Sequence, residues 1–410
     1  MGSKIPVCFG NFHLAYGQSV DPKCACNMSN LWLDVVVVID SSQNMDEDIL
    51  TEIAANIATV FGQTNITQAL GQTTRVGIVM YGESAVVKYN LTAFNDTSTF
   101  INTIFDVTKN FTTDTSYIYT GLATAQTVLH DGQANGKRDN VQQAIMIYAS
   151  HYVNSKSKKL LLDYLTTLEK FRIQEQENDP VQLAQEIKKD GIGIITVAFN
   201  QYDDELVLAE FAKIATPGMA FNDIDTDLVD EIQRNGLCQL NCFCPGIAWT
   251  QYTSQFGLAN ARRFAVCLQL DDIDFMSWTK AKMACQHLDN SAYLVSEFNR
   301  AKHNFTYHFF NNMTSIPGPY IYHIGLSWDV PSQQWMWEQP ANQPKIPFTD
   351  SSYAPWNPGD LTSLSTNLCV VNQQFAPGTN PGWSTRNCTA PARYVCQLHA
   401  CDTDHYCKND

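Results

Sequence analysis

The stretch Leu31–Met45, LWLDVVVVIDSSQNM, constrains the fold more than any other part of the chain. Val35–Ile39 is a continuous apolar run without polar alternation, which predicts a strand buried on both faces of a parallel sheet. The run ends at Asp40, and the oxygen-bearing residues Ser42 and Asn44 follow it. Because ligands bind at the carboxyl ends of parallel strands, this loop is a candidate site for a hard cation such as Mg2+. The alternative is that Asp40 and Ser42 cap the helix that follows.

Strand-like and helical segments alternate after this loop. Apolar residues recur at helical spacing from Ile49 to Phe61, and later helical patterns lie near 100–105, 121–129, 156–189 (broken near Pro180), 205–215 and 227–233. The strand-like segments are Val76–Tyr81, Ala85–Tyr89, Ala144–Ala149 and Gly191–Phe199. This order predicts an α/β doubly wound, mostly parallel sheet.

At Cys238 the composition changes. CQLNCFCPG is rich in cysteine, and beyond it tryptophan and proline increase while regular periodicity fades. Helical patterns remain near 277–287 and 296–309, followed by short strands and long loops. The predicted organisation is a segment 1–30, a first domain 31–237, a linker 238–243, a loop-rich, disulfide-dependent domain 244–398, and a tail 399–410.

Cysteine and sequon content predict an extracellular protein. The chain has 13 cysteines, a pattern that suits an oxidising compartment. It also carries N-x-S/T glycosylation sequons at Asn27, Asn65, Asn90, Asn95, Asn110, Asn304, Asn312 and Asn387. Residues 1–11 lack the apolar region of a signal peptide, so a processed or recombinant form of a secreted protein is expected.

Charge and motifs exclude other classes. The net charge of −15 disfavours nucleic acid and anionic membrane surfaces as main partners. No apolar run has membrane-spanning length. No nucleophile elbow, H-E-x-x-H helix, phosphate-binding loop or dinucleotide fingerprint occurs. The chain is therefore predicted not to be an enzyme.

Residues 31–235 resemble the von Willebrand factor type A family. At the position of the family's D-x-S-x-S motif, this chain has Asp40-Ser41-Ser42-Gln43-Asn44. At the position of the threonine that a second loop supplies in the family, it has Ser116, with Thr115 as the neighbouring alternative. The family's later aspartate is replaced by Ser150. The resemblance implies a metal-ion-dependent adhesion site made by Asp40, Ser42, Asn44 and Ser116. Losing one carboxylate lowers affinity for a divalent cation, so we expect weak Mg2+ binding or a vestigial site.

Several motifs occur in order between residues 244 and 396: WTKAKMAC at 278–285, HIGL at 323–326 and the closing group Cys369, Trp383, Cys388 and Cys396. They correspond to the first helix, the W-I-G-L core and the closing cysteine block of the C-type lectin-like domain. Residues 244–396 therefore resemble that family, and the resemblance implies an α+β fold with disulfides. The resemblance implies the disulfides Cys285–Cys396, Cys369–Cys388 and Cys244–Cys267. Such bridges each contribute roughly 2–4 kcal/mol to a loop-rich domain.

Calcium ligands of that family are largely missing here. The resemblance places Asp360-Leu361-Thr362 at the first calcium motif and Trp383-Ser384-Thr385 at the second. Only Asp360 is a suitable ligand, whereas Ca2+ takes six to eight oxygens. We therefore expect no calcium by the family's route. Ligand-binding candidates are Asp360 and the aromatic residues that can stack on a sugar or a protein, Trp335, Trp337, Trp356 and Tyr353; the histidines His303, His308 and His323 are expected to be packing or surface residues.

Seven cysteines lie outside these implied pairs: Cys8, Cys24, Cys26, Cys238, Cys242, Cys401 and Cys407. Because the ends of a doubly wound domain lie close together, a bridge from Cys24 or Cys26 to Cys238 is expected, and Cys401–Cys407 can close a small loop. One thiol stays odd, which suggests a free cysteine or a disulfide-linked oligomer.

The sequence thus predicts a secreted, glycosylated recognition protein whose partner is an extracellular protein or a glycan. Its domain order resembles secreted lectin-like proteins expanded in nematodes, some linked to innate defence. The alternatives are a calcium-dependent carbohydrate-binding lectin and a structural matrix protein that adheres through the first domain.

Overall fold

The computed structural model describes residues 20–42, 45–108, 116–134, 136, 138, 140–150, 179–199, 205–224, 226–314, 317–349, 353–360 and 366–407. The chain divides into two compact units. The first unit comprises Lys23–Ala265 and Ala400–Asp410, and the second comprises Met1–Pro22 and Val266–His399. The cysteine-rich joint and the tail therefore lie within the first unit. No helix of the described residues is long and apolar enough to cross a bilayer.

The first unit is a six-stranded sheet with helices on both faces. Its strands are β1 (Leu33–Asp40), β2 (Arg75–Tyr81), β3 (Ala85–Tyr89), β4 (Gln142–Ala149), β5 (Gly193–Ala198) and β6 (Ala220–Asn222), in the spatial order β3-β2-β1-β4-β5-β6. Only β3 is antiparallel to its neighbour within this described sheet. The predicted doubly wound, mostly parallel sheet is confirmed.

The helices of this unit follow the predicted periodicity. They are α1 (Glu47–Phe61), α2 (Thr97–Val107), α3 (Ile118–Ala134), α4 (Pro180–Lys189), α5 (Glu205–Ile214), α6 (Leu228–Glu231) and α7 (Cys238–Leu240), with a 3-10 turn at Met28–Asn30 and a π-helical turn at Ile232–Leu237. The part of the predicted helix at 156–178 lies outside the described residues.

Strand β1 is central, and each of its residues is buried. Val35, Val37 and Ile39 pack into the cluster that contains the buried face of α1. Val36 and Val38 pack on the other face, with the buried residues of α3. Because successive side chains of a strand point to opposite faces, only an uninterrupted apolar run can satisfy both layers.

The second unit is built on β8 (Arg263–Met276), which follows β7 (Thr250–Thr253) of the first unit. Its other strands are β9 (Tyr293–Leu294), β10 (Ile321–Asp329), β11 (Gln334–Trp337), β12 (Ile346–Pro347), β13 (Cys369–Gln373), β14 (Gly382–Arg386) and β15 (Ala392–His399), and its helices are α8 (Trp278–Leu288) and α9 (Arg300–Met313). Strands β12, β11, β10, β15 and β8 are hydrogen-bonded in that order, while β13 joins β10 to β14. This is the predicted α+β domain.

Disulfides close both units. Cys24–Cys242 and Cys26–Cys238 join the beginning of the first unit to the joint, so Cys26 rather than Cys24 pairs with Cys238. Cys401–Cys407, Cys285–Cys396 and Cys369–Cys388 are present. Cys244 and Cys267 are both disulfide-bonded, and their pairing with each other stays a prediction. Every described cysteine is thus paired, and Cys8, which lies outside the described residues, remains the odd one. The structure gives no support for the disulfide-linked oligomer.

Candidate functional sites

The first candidate site lies where β1 ends, and it brings three of the four predicted ligands together. Ser42 N–H donates to Asp40 Oδ1 at 2.9 Å, and the Ser116 hydroxyl donates to Asp40 Oδ2 at 2.7 Å. Asp40, Ser42 and Ser116 are all at most 1% exposed. Asn44 and the alternative Thr115 lie outside the described residues.

The packing of α3 positions Ser116. A Cβ on Gly121 would lie 2.9 Å from Val38 Cγ1 and 3.0 Å from the Tyr81 ring, so glycine permits this close approach. Tyr81 pairs in register with Asp40 and is fully buried. Burial in the first place, and the charge of Asp40 in the second, raise the pKa of the Tyr81 phenol. At the carboxyl end of β1, the Asp40 carboxylate thus lies among neutral hydroxyl groups, those of Ser116 and Tyr81.

The helix-capping interpretation of this loop is wrong. The N-cap of α1 is Asp46, whose carboxylate accepts from Ile49 N at 2.8 Å. Asp40 instead links the end of β1 to Ser116, two residues before α3 begins. The Asp40 side chain therefore connects the end of β1 to the segment before α3, and it does not cap α1.

These residues do not fit a tightly bound divalent cation. Both carboxylate oxygens of Asp40 already accept hydrogen bonds, and Ser150 supplies no second charge. Ser42 Oγ is buried and has no hydrogen-bond partner among the described residues, so it is an oxygen available to a weakly held ion. A hard cation such as Mg2+ prefers about six oxygens with charge among them, and the described set falls short.

The second candidate site, in the second unit, lies around β14 and the chain before it. Thr385 N–H donates to Asp360 Oδ1 at 3.0 Å, with the Thr385 hydroxyl at 3.4 Å. Asn357 Nδ2 donates to the Ser384 hydroxyl at 2.9 Å. The two chain segments that the family resemblance assigns to calcium are therefore joined directly by hydrogen bonds. Leu361 and Thr362 lie outside the described residues.

Four predicted aromatic candidates form part of one packed group. The Trp356 ring lies 5.6 Å from that of Trp335 and 5.4 Å from that of Trp383. Trp335 is 8% exposed and Trp337 only 1% exposed, so Trp337 is a core residue. Tyr353 lies at the edge of the group, half-buried, with its ring 6.1 Å from that of Trp383. Tyr353 and Trp356 are both half-buried, so each keeps part of its ring surface available to a ligand.

Sequence reasoning missed the buried acid beneath this group. Glu297 is fully buried and accepts hydrogen bonds from side chains of four residues. The donors are Trp383 Nε1 at 2.7 Å, His303 Nδ1 at 2.8 Å, Asn372 Nδ2 at 3.1 Å and Tyr322 OH at 3.2 Å. A charged residue two positions after the apolar segment YLV at 293–295 was the signal that could have identified it.

The buried histidines respond in opposite directions to their surroundings. Burial lowers the pKa of His303, but the charge of Glu297 and its hydrogen bond outweigh burial, so the pKa is raised overall. Burial lowers the pKa of His323 to about 4. The hydrogen bond between His323 Nε2 and the Met276 carbonyl, at 2.9 Å, acts in the opposite direction, but its effect is smaller. His303 and His323 are at most 3% exposed, in agreement with the packing role expected of them, whereas His308 is exposed.

Comparison with known proteins supports both resemblances. Residues 34–235 match the von Willebrand factor type A domain, and residues 274–398 match the C-type lectin domain. The chain is 27% identical over 399 residues to C-type lectin domain-containing protein 160 of Caenorhabditis elegans, covering 94% of this chain. It spans about half, 56%, of the length of that relative.

Some solved structures also align with part of the chain. Proximal thread matrix protein 1 from the mussel byssus is 14% identical, with a TM-score of 0.37, over 52% of this chain and 47% of that chain. The C-type lectin CEL-I from Cucumaria echinata is 17% identical, with a TM-score of 0.29, over 38% of this chain and 96% of that chain. The family matches show a von Willebrand factor type A domain followed by a C-type lectin domain.

Proposed function

We propose that this chain, a von Willebrand factor type A domain followed by a C-type lectin domain, is an extracellular, non-catalytic recognition protein. It binds a glycan or protein partner through its lectin-like face, and it does so without calcium at the family's position. This goes beyond the domain assignment, which supports recognition or adhesion in general.

One observation carries the proposal: hydrogen bonds join the two segments that would otherwise share a metal ion. The Asp360–Thr385 and Asn357–Ser384 contacts satisfy these side chains without an ion. Asp360 is the single carboxylate of residues 353–360 and 382–386. Because Ca2+ binds through several charged oxygens, one carboxylate that is already hydrogen-bonded is a poor site.

The partner then has to be recognised by aromatic and hydrogen-bonding contacts. Tyr353 presents part of its ring beside Trp383, and a tyrosine ring can stack on the apolar face of a sugar or on a protein side chain. Its ring also contacts that of His303, at 5.6 Å, which ties its position to the buried Glu297. Tyr353 is therefore the residue we expect to contact the partner.

The test is glycan-array binding of secretory-expressed protein in Ca2+ and again in EDTA. We expect binding that persists in EDTA and is lost in Tyr353→Ala. The calcium-dependent alternative is tested with Asp360→Asn. Its matched control is Asp329→Asn, because Asp329, like Asp360, accepts hydrogen bonds from the backbone N–H and the hydroxyl of one residue, in this case Ser332 in a surface turn. Binding abolished by EDTA and by Asp360→Asn, but not by Asp329→Asn, would instead establish the calcium-dependent lectin.

A second candidate function is adhesion to a matrix protein through the first unit. The buried Ser42 Oγ beside Asp40 favours it, since a weakly held Mg2+ there would accept an acidic group from a partner. Binding to matrix proteins with no glycan preference, lost in both EDTA and Asp40→Asn, would support this function over the first.

A further inference from the structure

Strand β3 forms an apolar edge of the first unit's sheet that no other described strand covers. β3 pairs with β2 on one side, and no described strand pairs with its other side. Three of its five residues are exposed: Val86 at 48%, Val87 at 44% and Tyr89 at 36%. Unpaired N–H and C=O groups next to exposed apolar side chains form a template for pairing with another chain.

The strand has few of the features that normally prevent such pairing. Lys88 supplies one charge, and a register shift interrupts the β2–β3 ladder near Val79. At the opposite edge of the sheet, β6 has only three residues, so its exposed edge is short. β3 is therefore the edge that needs additional protection.

A glycosylation sequon begins at the residue directly after β3. Asn90 is exposed, and its Oδ1 accepts from Thr92 N–H at 3.0 Å and from the Thr92 hydroxyl at 2.8 Å. Gln68 Nε2 donates to the carbonyl groups of Leu91 and Phe94, so the turn that carries Asn90 is held in place. A second sequon, at the exposed Asn95, lies in the same loop.

We propose that an N-glycan on Asn90 covers the open edge of β3 and keeps it from pairing with a second copy of the chain. Val87 is three residues from Asn90, or roughly 10 Å along an extended strand. A branched oligosaccharide of several sugar rings spans that distance and is bulky and strongly hydrated. The glycan at Asn90 thus protects one edge of the sheet, a role distinct from the recognition function proposed above.

The test starts with glycopeptide mapping by mass spectrometry of protein secreted from eukaryotic cells, followed by sedimentation velocity. Asn90 should be occupied. Asn90→Gln and Thr92→Val, which both remove the sequon, should raise the associated fraction several-fold, and so should enzymatic trimming of the native protein to a single N-acetylglucosamine per site. Thr92→Ser, which keeps the sequon, should remain monomeric.

Two further variants separate edge pairing from misfolding. Asn387→Gln is the matched control, because Asn387 of the second unit accepts the same two hydrogen bonds, from the Thr389 N–H at 2.9 Å and from the Thr389 hydroxyl at 2.8 Å. It should not raise association. Val86→Lys in the Asn90→Gln background should restore the monomer by placing a charge on the edge. An unoccupied Asn90, equal association of Asn90→Gln and Asn387→Gln, or no rescue by Val86→Lys would each overturn the proposal.

Discussion

The paired disulfides at the beginning of the first unit should stabilise it cooperatively. Cys24–Cys242 and Cys26–Cys238 span 218 and 212 residues of sequence and lie side by side. Either bridge alone keeps the long loop closed, because the two share the same pair of chain segments. Removing one bridge therefore opens only the small ring between them, whereas removing both opens the whole domain.

Loop-closure entropy gives the size of each effect. Closing the long loop of more than 200 residues contributes about 5 kcal/mol to the free energy of unfolding. Closing the small ring of about eight residues between the two bridges contributes roughly a further 2–3 kcal/mol. Replacing either cysteine pair by serine should then cost about 2–3 kcal/mol. Replacing all four cysteines should cost about 8 kcal/mol, which exceeds the two single losses together by about 3 kcal/mol.

Amide hydrogen exchange of β1, measured by mass spectrometry, is the assay, because this strand is fully buried and its slowest amides report opening of the unit. The control is serine at both Cys401 and Cys407, whose loop spans six residues in the same unit. That change should cost about 2 kcal/mol and add independently to the others. A four-serine variant that loses no more than the two pairs separately would refute the loop-entropy reasoning, whereas one that is wholly unfolded agrees with it.

Three further predictions concern the first candidate site and the buried polar groups of the second unit. Millimolar Mg2+ should leave the melting temperature of the first unit unchanged relative to EDTA; a rise of several degrees that Asp40→Asn abolishes would show a functional metal site. Trp383→Phe removes the donor 2.7 Å from Glu297 and should cost about 2–3 kcal/mol in urea unfolding of the second unit, more than Tyr322→Phe, whose bond is 3.2 Å. His323 takes up a proton in the unfolded chain near pH 6.5 but in the folded unit only near pH 4, so stability should fall as pH falls through this window, by about 3 kcal/mol in total. His323→Gln should remove that part of the pH dependence in unfolding measured from pH 7 to 4, while the raised pKa of His303 contributes stability that is lost only as pH rises above about 6.5.

Local patterns in the sequence were sufficient where a residue's environment depends on its near neighbours. The apolar run of β1 and the helical spacing from Ile49 to Phe61 predicted their elements to within two residues at each end. The motif residues Asp40, Ser42 and Ser116 were placed by resemblance, and they meet at the end of β1. The domain boundary expected at Cys238 from composition does not coincide with the end of the first compact unit, which continues to Ala265. Disulfides to Cys238 and Cys242 hold the joint against the beginning of that unit, which a change in composition does not reveal.

The sequence by itself determined the two fold classes, their order and the loss of charged ligands, since periodicity and residue type are local properties. Only the tertiary structure decided which polar groups meet. Glu297 accepts from residues between 6 and 86 positions away, and Asp360 is held by Thr385, 25 positions later. A buried carboxylate needs donors to offset its desolvation, and those donors are supplied by whichever strands the fold places around it. The same holds for the open edge of β3, which is exposed because no other described strand lies beside it.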